Sequence, residues 1–280
     1  MDASQLQEEP RLLFGRGYYV DFNQFAHLLT TVTKEDFKEG LNSSSLADIL
    51  GIATAKAEGL VYLARGFDLL KRSKVICATE LGKLIAKYDP FFDDTGTLWF
   101  LHYVVSSEPR QLVWNRFANN IAPQMRSFTL QQFRATFTDQ GENHSAYSAN
   151  RHVAKETLTV IDAYINKNFA RLAYLRTEDD AHYALSYREA IPPLVLGASI
   201  VRYRDRHRPS DTAISVLDLL TTPNSPGVIF QLSEANLRTA LEQLKLQPGF
   251  SLESRADLDQ IRLTDNTPDY TWMERYYANK

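Results

Sequence analysis

The stretch SSSLADILGIATAKAEGLVYLARGFDLL, residues 43–70, decides how the chain is read. Taken as one long helix it fails, because Gly51 and Gly59 interrupt it and Ile52, Ala53 and Thr54 look like a fresh start. Ser43, Ser44 and Ser45 are N-cap candidates, and Leu46, Ile49 and Leu50 recur at i, i+3 and i+4 on one face of a first helix. Gly51 stands where a helix end favours the left-handed conformation. Ile52 is an apolar turn residue placed to pack between two helices, and Thr54 is the candidate cap of the second. There Ala57, Leu60, Val61 and Ala64 form the buried stripe, while Lys56, Glu58, Tyr62 and Arg65 face mostly outward. The pattern predicts a helix-turn-helix.

Residues 66–85 predict a winged version of it. GFDLL at 66–70 ends the second helix, and Lys71, Arg72, Ser73 and Lys74 make a basic turn. VICA at 75–78 is strand-like, and TELGKLI at 79–85 opens another helix. In such a domain the second helix lies in the major groove and the basic turn touches the DNA backbone. Thr54, Lys56, Tyr62, Arg65, Lys71, Arg72 and Lys74 are therefore the first candidate DNA contacts. The second helix offers two long cations and no Asn or Gln to read adenine, so backbone contact is expected rather than base readout.

Upstream, Gly15 and Gly17 sit in FGRGYYV (14–20), without the strand–glycine–helix unit of a nucleotide loop; a helix is expected over 23–29. Downstream, Asp93 and Asp94 have no third carboxylate at ligand spacing and are better read as helix caps than as metal ligands. TLWFLHYVV at 97–105 is apolar on nearly every side and predicts a buried central helix, with Trp99, His102 and Trp114 packing the core. Further helices are expected over 111–120 and 130–137, the latter capped from 127–129.

SANRHVAKETLTVIDAYI, residues 148–165, has helical spacing at Val153, Leu158, Ile161 and Ile165. It is either a second helix-turn-helix, with Arg151 and Lys155 outward, or an ordinary amphipathic bundle helix. A strand is expected over 181–187, and a helix over 194–203 runs into RYRDRHR. There Arg202, Arg204, Arg206 and Arg208 either clamp phosphates or complement the helix dipole. A helix over 210–220, a strand over 228–231, a Ser233-capped helix to 244 and a strand at 261–263 complete the pattern.

The fold class is therefore mainly α with short β-hairpins: tandem winged-helix or helix-turn-helix modules around a helical core. Residues 1–90 form an N-terminal winged-helix-like domain, 91–180 a central helical region with the candidate second helix-turn-helix, and 181–280 an acidic C-terminal α+β domain. At 280 residues, 44% hydrophobic and 23% charged, the chain is long enough for such modules and ordinary for a globular protein. The net charge of −3 is unevenly spread. Residues 56–87 carry seven basic side chains against three acidic, 110–176 nine against four, and 209–280 six against ten. That asymmetry suits an anionic partner held on one side. No apolar run reaches membrane-spanning length, the acidic N-terminus does not read as a secretory signal, and the lone Cys77 suits a reducing cytoplasm. Cys77 itself reads as buried filler.

ATELGKLI (78–85), YDPFFDD (88–94) and TLWFLHY (97–103), with Trp114 and Phe117 after them, resemble an uncharacterised prokaryotic family, domain of unknown function 4007. Its members look like L-T-x-x-G, then D-P-y-L-e-d-x-x-T-L-W-L-L-H. The family's N-terminal phrase, similar to F-x-G-H-E-T-F, loses its histidine and glutamate in residues 14–22 here. The resemblance implies a setting near DNA-modification and phage-defence genes and supplies no catalytic residue.

No GxSxG, P-loop, HExxH, paired-cysteine site or D…(D/E)xK order is present. The expected function is thus non-enzymatic binding of double-stranded DNA by an accessory or regulatory protein, without cofactor or metal. Other defence-system proteins and a second copy of the chain are further candidate partners. The alternative is an interaction scaffold whose winged helices dock proteins.

Overall fold

The chain turns at Gly51 for a backbone reason. This glycine adopts φ 64° while the Ile52 N–H reaches back to the Ala47 carbonyl at 3.0 Å, a Schellman end. A Cβ there would meet nothing within 4 Å, so glycine serves conformation and not space. The computed structural model describes Leu12 and residues 18–137, 146–186, 191–255 and 258–280. The glycine loop at 14–17 lies outside the described residues.

Helix α1 (Phe22–Val32) is capped by Asp21 and buries Phe22, Phe25, Leu28 and Leu29. Helix α2 (Ser43–Leu50) is capped by Asn42, not by the serines, because the Asn42 side-chain oxygen Oδ1 accepts from the Ser45 N–H at 2.9 Å. It turns Leu46 and Ala47 into the core and leaves Ile49 exposed, against the expected stripe. Helix α3 (Thr54–Gly66) starts after Ala53, which has no capping side chain, so Thr54 is the first helical residue rather than the cap. Ala57, Leu60, Val61 and Ala64 are buried as the spacing predicted. Asp68, at φ 56°, closes α3, with the Leu69 N–H on the Ala64 carbonyl at 2.9 Å.

A minimal hairpin comes next. Leu70 pairs with Ala78, and Ile76 pairs with Leu41, which precedes α2. Cys77 is half-exposed rather than buried. Thr79 caps α4 (Glu80–Tyr88), and Gly82 lies so close to the hairpin that a Cβ would sit 2.2 Å from the Leu69 carbonyl oxygen.

Helix α5 (Thr95–Ser106), capped by Asp94, is buried on every side and forms the centre of the core. After α6 (Leu112–Arg116), a π-helical turn (Phe117–Ile121) and α7 (Ala122–Gln124) comes a second unit. It runs β1 (Ser127–Thr129), α8 (Leu130–Ala135), α9 (Ala146–Ile165), β2 (Leu175–Thr177) and β3 (His182–Leu185). Thr129 and Gln132 form a reciprocal capping box on α8. The antiparallel strand order is β1-β3-β2, with Phe128 opposite Tyr183.

Helix α10 (Pro193–His207) leads to a third unit: β4 (Ala213–Ser215), α11 (Val216–Thr221), α12 (Pro226–Phe230), α13 (Glu234–Leu244), β5 (Phe250–Arg255) and β6 (Leu258–Leu263). Its order, β4-β6-β5, repeats the second unit's. Helix α14 (Asp269–Ala278) packs on α10 and α4. Two sequence expectations fail here. Residues 210–220 are not one helix, because 213–215 pair with β6 and Ser215 caps a new start. Residues 228–231 are not a strand: Ser225 caps α12, Pro226 opens it, and Gln231 ends it at φ 55°.

One hydrophobic cluster runs from Val20 to Tyr277. Inside it, His102 Nε2 lies 3.1 Å from the Ile229 carbonyl, which can only accept, so Nε2 carries the proton. Nδ1 then accepts from the Tyr164 hydroxyl. Burial holds the His102 pKa down to about 4, keeping the ring neutral. No helix of the described residues is long and apolar enough to cross a membrane.

Candidate nucleic-acid interface

Lys71, Arg72, Ser73 and Lys74 are exposed at the tip of the first hairpin. Arg65 does not face outward with them. Its Nε donates to the Lys71 carbonyl at 3.1 Å, and its Nη2 donates to the Ser73 carbonyl. Partial burial, and Arg72 nearby, pull the Arg65 pKa below its ordinary value. Arg65 is thus a positioning residue that fastens the turn to the last turn of α3. Arg72 lies 3.6 Å from Glu108. Lys56, Lys71 and Lys74 pair with no carboxylate among the described residues. Thr54 is exposed at the start of α3, and Tyr62 is 42% exposed one turn before Arg65.

In the second unit, Arg151 and Lys155 are exposed on α9 and pair with no carboxylate among the described residues. The hairpin of this unit differs from the first. Its tip carries Glu178, Asp179 and Asp180, all exposed. Asp179 accepts from the Ala181 and His182 N–H groups, each at 2.8 Å, and from the His182 ring, which together hold its carboxyl below the usual range. The exposed cations of the helix and the acidic tip of the hairpin here have opposite charge.

The arginine run is occupied within the chain. Arg202, only 5% exposed, places Nη1 at 2.8 Å from Asp68 and 2.7 Å from Asp269. Burial opposes its charge, but the two carboxylates outweigh this and raise its pKa. Arg204, 7% exposed, is 2.7 Å from Asp205 and donates to the Asp265 carbonyl at 3.3 Å. Arg206 meets Glu108 at 2.8 Å, and Arg208 meets Asp218 at 2.6 Å and Asp211 at 2.7 Å. Arg202 and Arg206 reach across to Asp68 and Glu108, whereas Arg204 and Arg208 bind acids and a carbonyl of α10 and the chain after it. Arg202 and Arg204 have no face toward solvent from which to clamp a phosphate.

Asp94 caps α5 through the Thr97 N–H at 2.9 Å and accepts from the Tyr276 hydroxyl at 3.0 Å, while Asp93 pairs with Arg171 at 2.7 Å. Among the described residues, no three His, Cys, Asp or Glu side chains come together as a metal site. Sequence reasoning missed the clasp roles of Arg65 and Arg202, whose partners are backbone carbonyls or distant acids that no local spacing reveals.

The sequence model of a family described as "Protein of unknown function (DUF4007)" matches residues 29–277. The chain belongs to the DUF4007 family. No protein of curated function matches this DUF4007 chain. Two solved structures share its fold, named "SspB crystal structure" and "Magnesium ion-bound SspB crystal structure". Each superposes with a TM-score of 0.76 at 16% identity, covering 96% of this chain and 88% of the other. At that identity the likeness is one of fold.

Proposed function

We propose that this DUF4007 protein is a non-enzymatic accessory or regulatory protein that binds duplex DNA, mainly through its backbone, within a bacterial DNA-modification or phage-defence system. Its order of strand or bridge, helices and hairpin suits a winged helix, and we read the three units as three such modules. The reading rests on a contrast in charge pairing. The arginines at 202–208 are bound to in-chain acids, whereas Lys56, Lys71, Lys74, Arg151 and Lys155 pair with no carboxylate among the described residues. Cations left unpaired on a helix and its adjoining hairpin suit an external polyanion. Arg72 contributes less, because Glu108 competes for it.

Magnesium appears in the name of one SspB structure. The described residues of this chain bring no metal-binding set of acids or histidines together, and no role is assigned to a metal.

The test is a binding titration with random-sequence duplex across a salt series. Changing Lys71 and Lys74 to alanine is expected to weaken binding to all sequences alike and to reduce the salt slope by about one per lysine. Unchanged affinity at low salt would sink the assignment. A scaffold that docks proteins is the second reading, favoured by the acidic tip at 178–180 and by the exposed Leu217 and Leu246 of the third unit. It predicts no duplex binding and co-purification with neighbouring gene products.

A further inference from the structure

We propose that the cleft between α9 and the β2–β3 hairpin binds a single unstacked nucleobase that carries an exocyclic amino group. The inference rests on the reading that the chain handles nucleic acid; it shares Arg151 and Lys155 with that reading and adds a cleft that the reading does not use. The cleft measures about 530 Å³, within the ordinary range for small-ligand sites. Two aromatic rings line it: Tyr19, 47% exposed before α1, and Tyr183 on β3. Leu158 and its neighbours on α9 form an apolar floor. Tyrosines beside an apolar floor suit a flat ring that needs stacking, and any base has a π-face to offer.

The polar groups narrow the choice of base. Asp162 and Asn166 both line the cleft, and the Asn166 amide donates to Asp162 Oδ1 at 2.9 Å. That bond uses one of the two amide N–H groups of Asn166, and it leaves two acceptors, Asp162 Oδ2 and Asn166 Oδ1, with no other side-chain partner among the described residues. Acceptors of this kind recognise the amino groups of adenine, cytosine or guanine, whereas thymine has no amino group and its single ring N–H is flanked by two carbonyl oxygens that they repel.

Charge sets the path of the strand. Arg151, Lys155, Leu158, Asp162 and Asn166 succeed one another at three- and four-residue intervals, so two cations that pair with no carboxylate among the described residues lead along one helix face into the cleft. Lys167 lines the cleft as well. The acidic tip at 178–180 repels phosphates from the hairpin and confines a strand to the helix side. An aromatic peptide without acidic residues would use the rings but gives those cations no partner.

The test measures anisotropy of labelled dA12, dC12 and dT12 single strands and of a mixed-sequence duplex, on the full chain. We expect dA12 and dC12 to bind at least about fivefold more tightly than dT12, the low end for one good base contact. Tyr19→Ala and Tyr183→Ala are each expected to weaken dA12 binding about fivefold or more, the low end for one lost stack, with duplex affinity unchanged. Asp162→Asn is expected to erase the preference over dT12. Tyr183 also packs against Phe128, so the exposed Tyr19 is the variant that decides if Tyr183→Ala misfolds. Wild-type dA12 affinity in Tyr19→Ala, or equal binding of dA12 and dT12 by the native chain, overturns the proposal. So does loss of binding to a tryptophan-containing acidic peptide with dA12 binding intact, which makes the cleft a peptide site. The lysine variants at 71 and 74 move duplex binding and these variants move single-strand binding, so either assignment can fail alone.

Discussion

Arg65 Nε lies 3.1 Å from the Lys71 carbonyl oxygen, so α3 holds the basic turn by its backbone and leaves the lysine side chains outward. Arg65→Ala is expected to free the turn rather than remove a phosphate contact. Duplex affinity should fall severalfold with a smaller change in salt slope than Lys71→Ala gives. Hydrogen exchange should quicken at the Lys71 amide, which bonds the Cys77 carbonyl. Arg65→Lys should not rescue it, because an ammonium lacks the fork that reaches two carbonyls. A slope change equal to that of Lys71→Ala would place Arg65 on the DNA instead.

Arg202 makes the opposite case. Arg202→Ala leaves Asp269 and Asp68 with only Arg206 nearby, 3.7 Å from Asp68, and stability should fall by about 3 kcal/mol, as when one partner of a buried ion pair is removed. Urea unfolding reads the loss. Duplex affinity of the folded protein should stay as it was, which a phosphate-clamping arginine would not allow.

His102 gives the protein a pH dependence. Its pKa is about 4 when folded against 6.5 as a free side chain, so the unfolded chain takes up the proton first. The stability tied to the neutral ring is complete above pH 6.5 and is lost as pH falls from 6.5 toward 4. Between pH 7 and pH 5 the loss should be about 2 kcal/mol. Comparing chemical denaturation of the native chain with His102→Gln at both pH values isolates it: the variant starts lower and declines less. Equal declines would mean that His102 is hydrated in the folded state.

Two glycines should respond differently to alanine. At Gly82 the new Cβ meets backbone 2.2 Å away, and the hairpin must move off α4, at about 3 kcal/mol. At Gly51 there is room, and only the left-handed backbone is strained, at about 1 kcal/mol. Thermal unfolding of the pair gives the order, and a reversed order would contradict the close approach at Gly82.

Features with strong local signals were readable from sequence. The break at Gly51 is one, because a left-handed cap needs glycine; the buried α5 is another, because its apolar residues leave no polar face. The misleading segments were shorter. Val228, Ile229 and Phe230 form an apolar run too brief for periodicity to separate helix from strand, although Ser225 and Pro226 mark a helix start. Strands of three residues, such as 127–129 and 213–215, show almost no alternation, which hid the repeat of units. The arginine run could be read as an anion site or as a complement to the helix dipole because, besides the nearby Asp205 and Asp211, its acids stand away from it in sequence, at 68, 108, 218 and 269. Tyr19 and Tyr183 meet at one cleft only through the fold.

The strand order β1-β3-β2, repeated as β4-β6-β5, has a consequence for synthesis. In each unit the first segment to leave the ribosome pairs with the last, so neither sheet can close until its whole unit has emerged. The helices between must hold that early strand in waiting, and they do so through caps readable at once, such as Thr129 on α8 and Ser215 on α11. A ribosome stalled after β2 or after β5 should therefore carry a unit with formed helices and an open sheet edge, sensitive to protease until the final strand arrives.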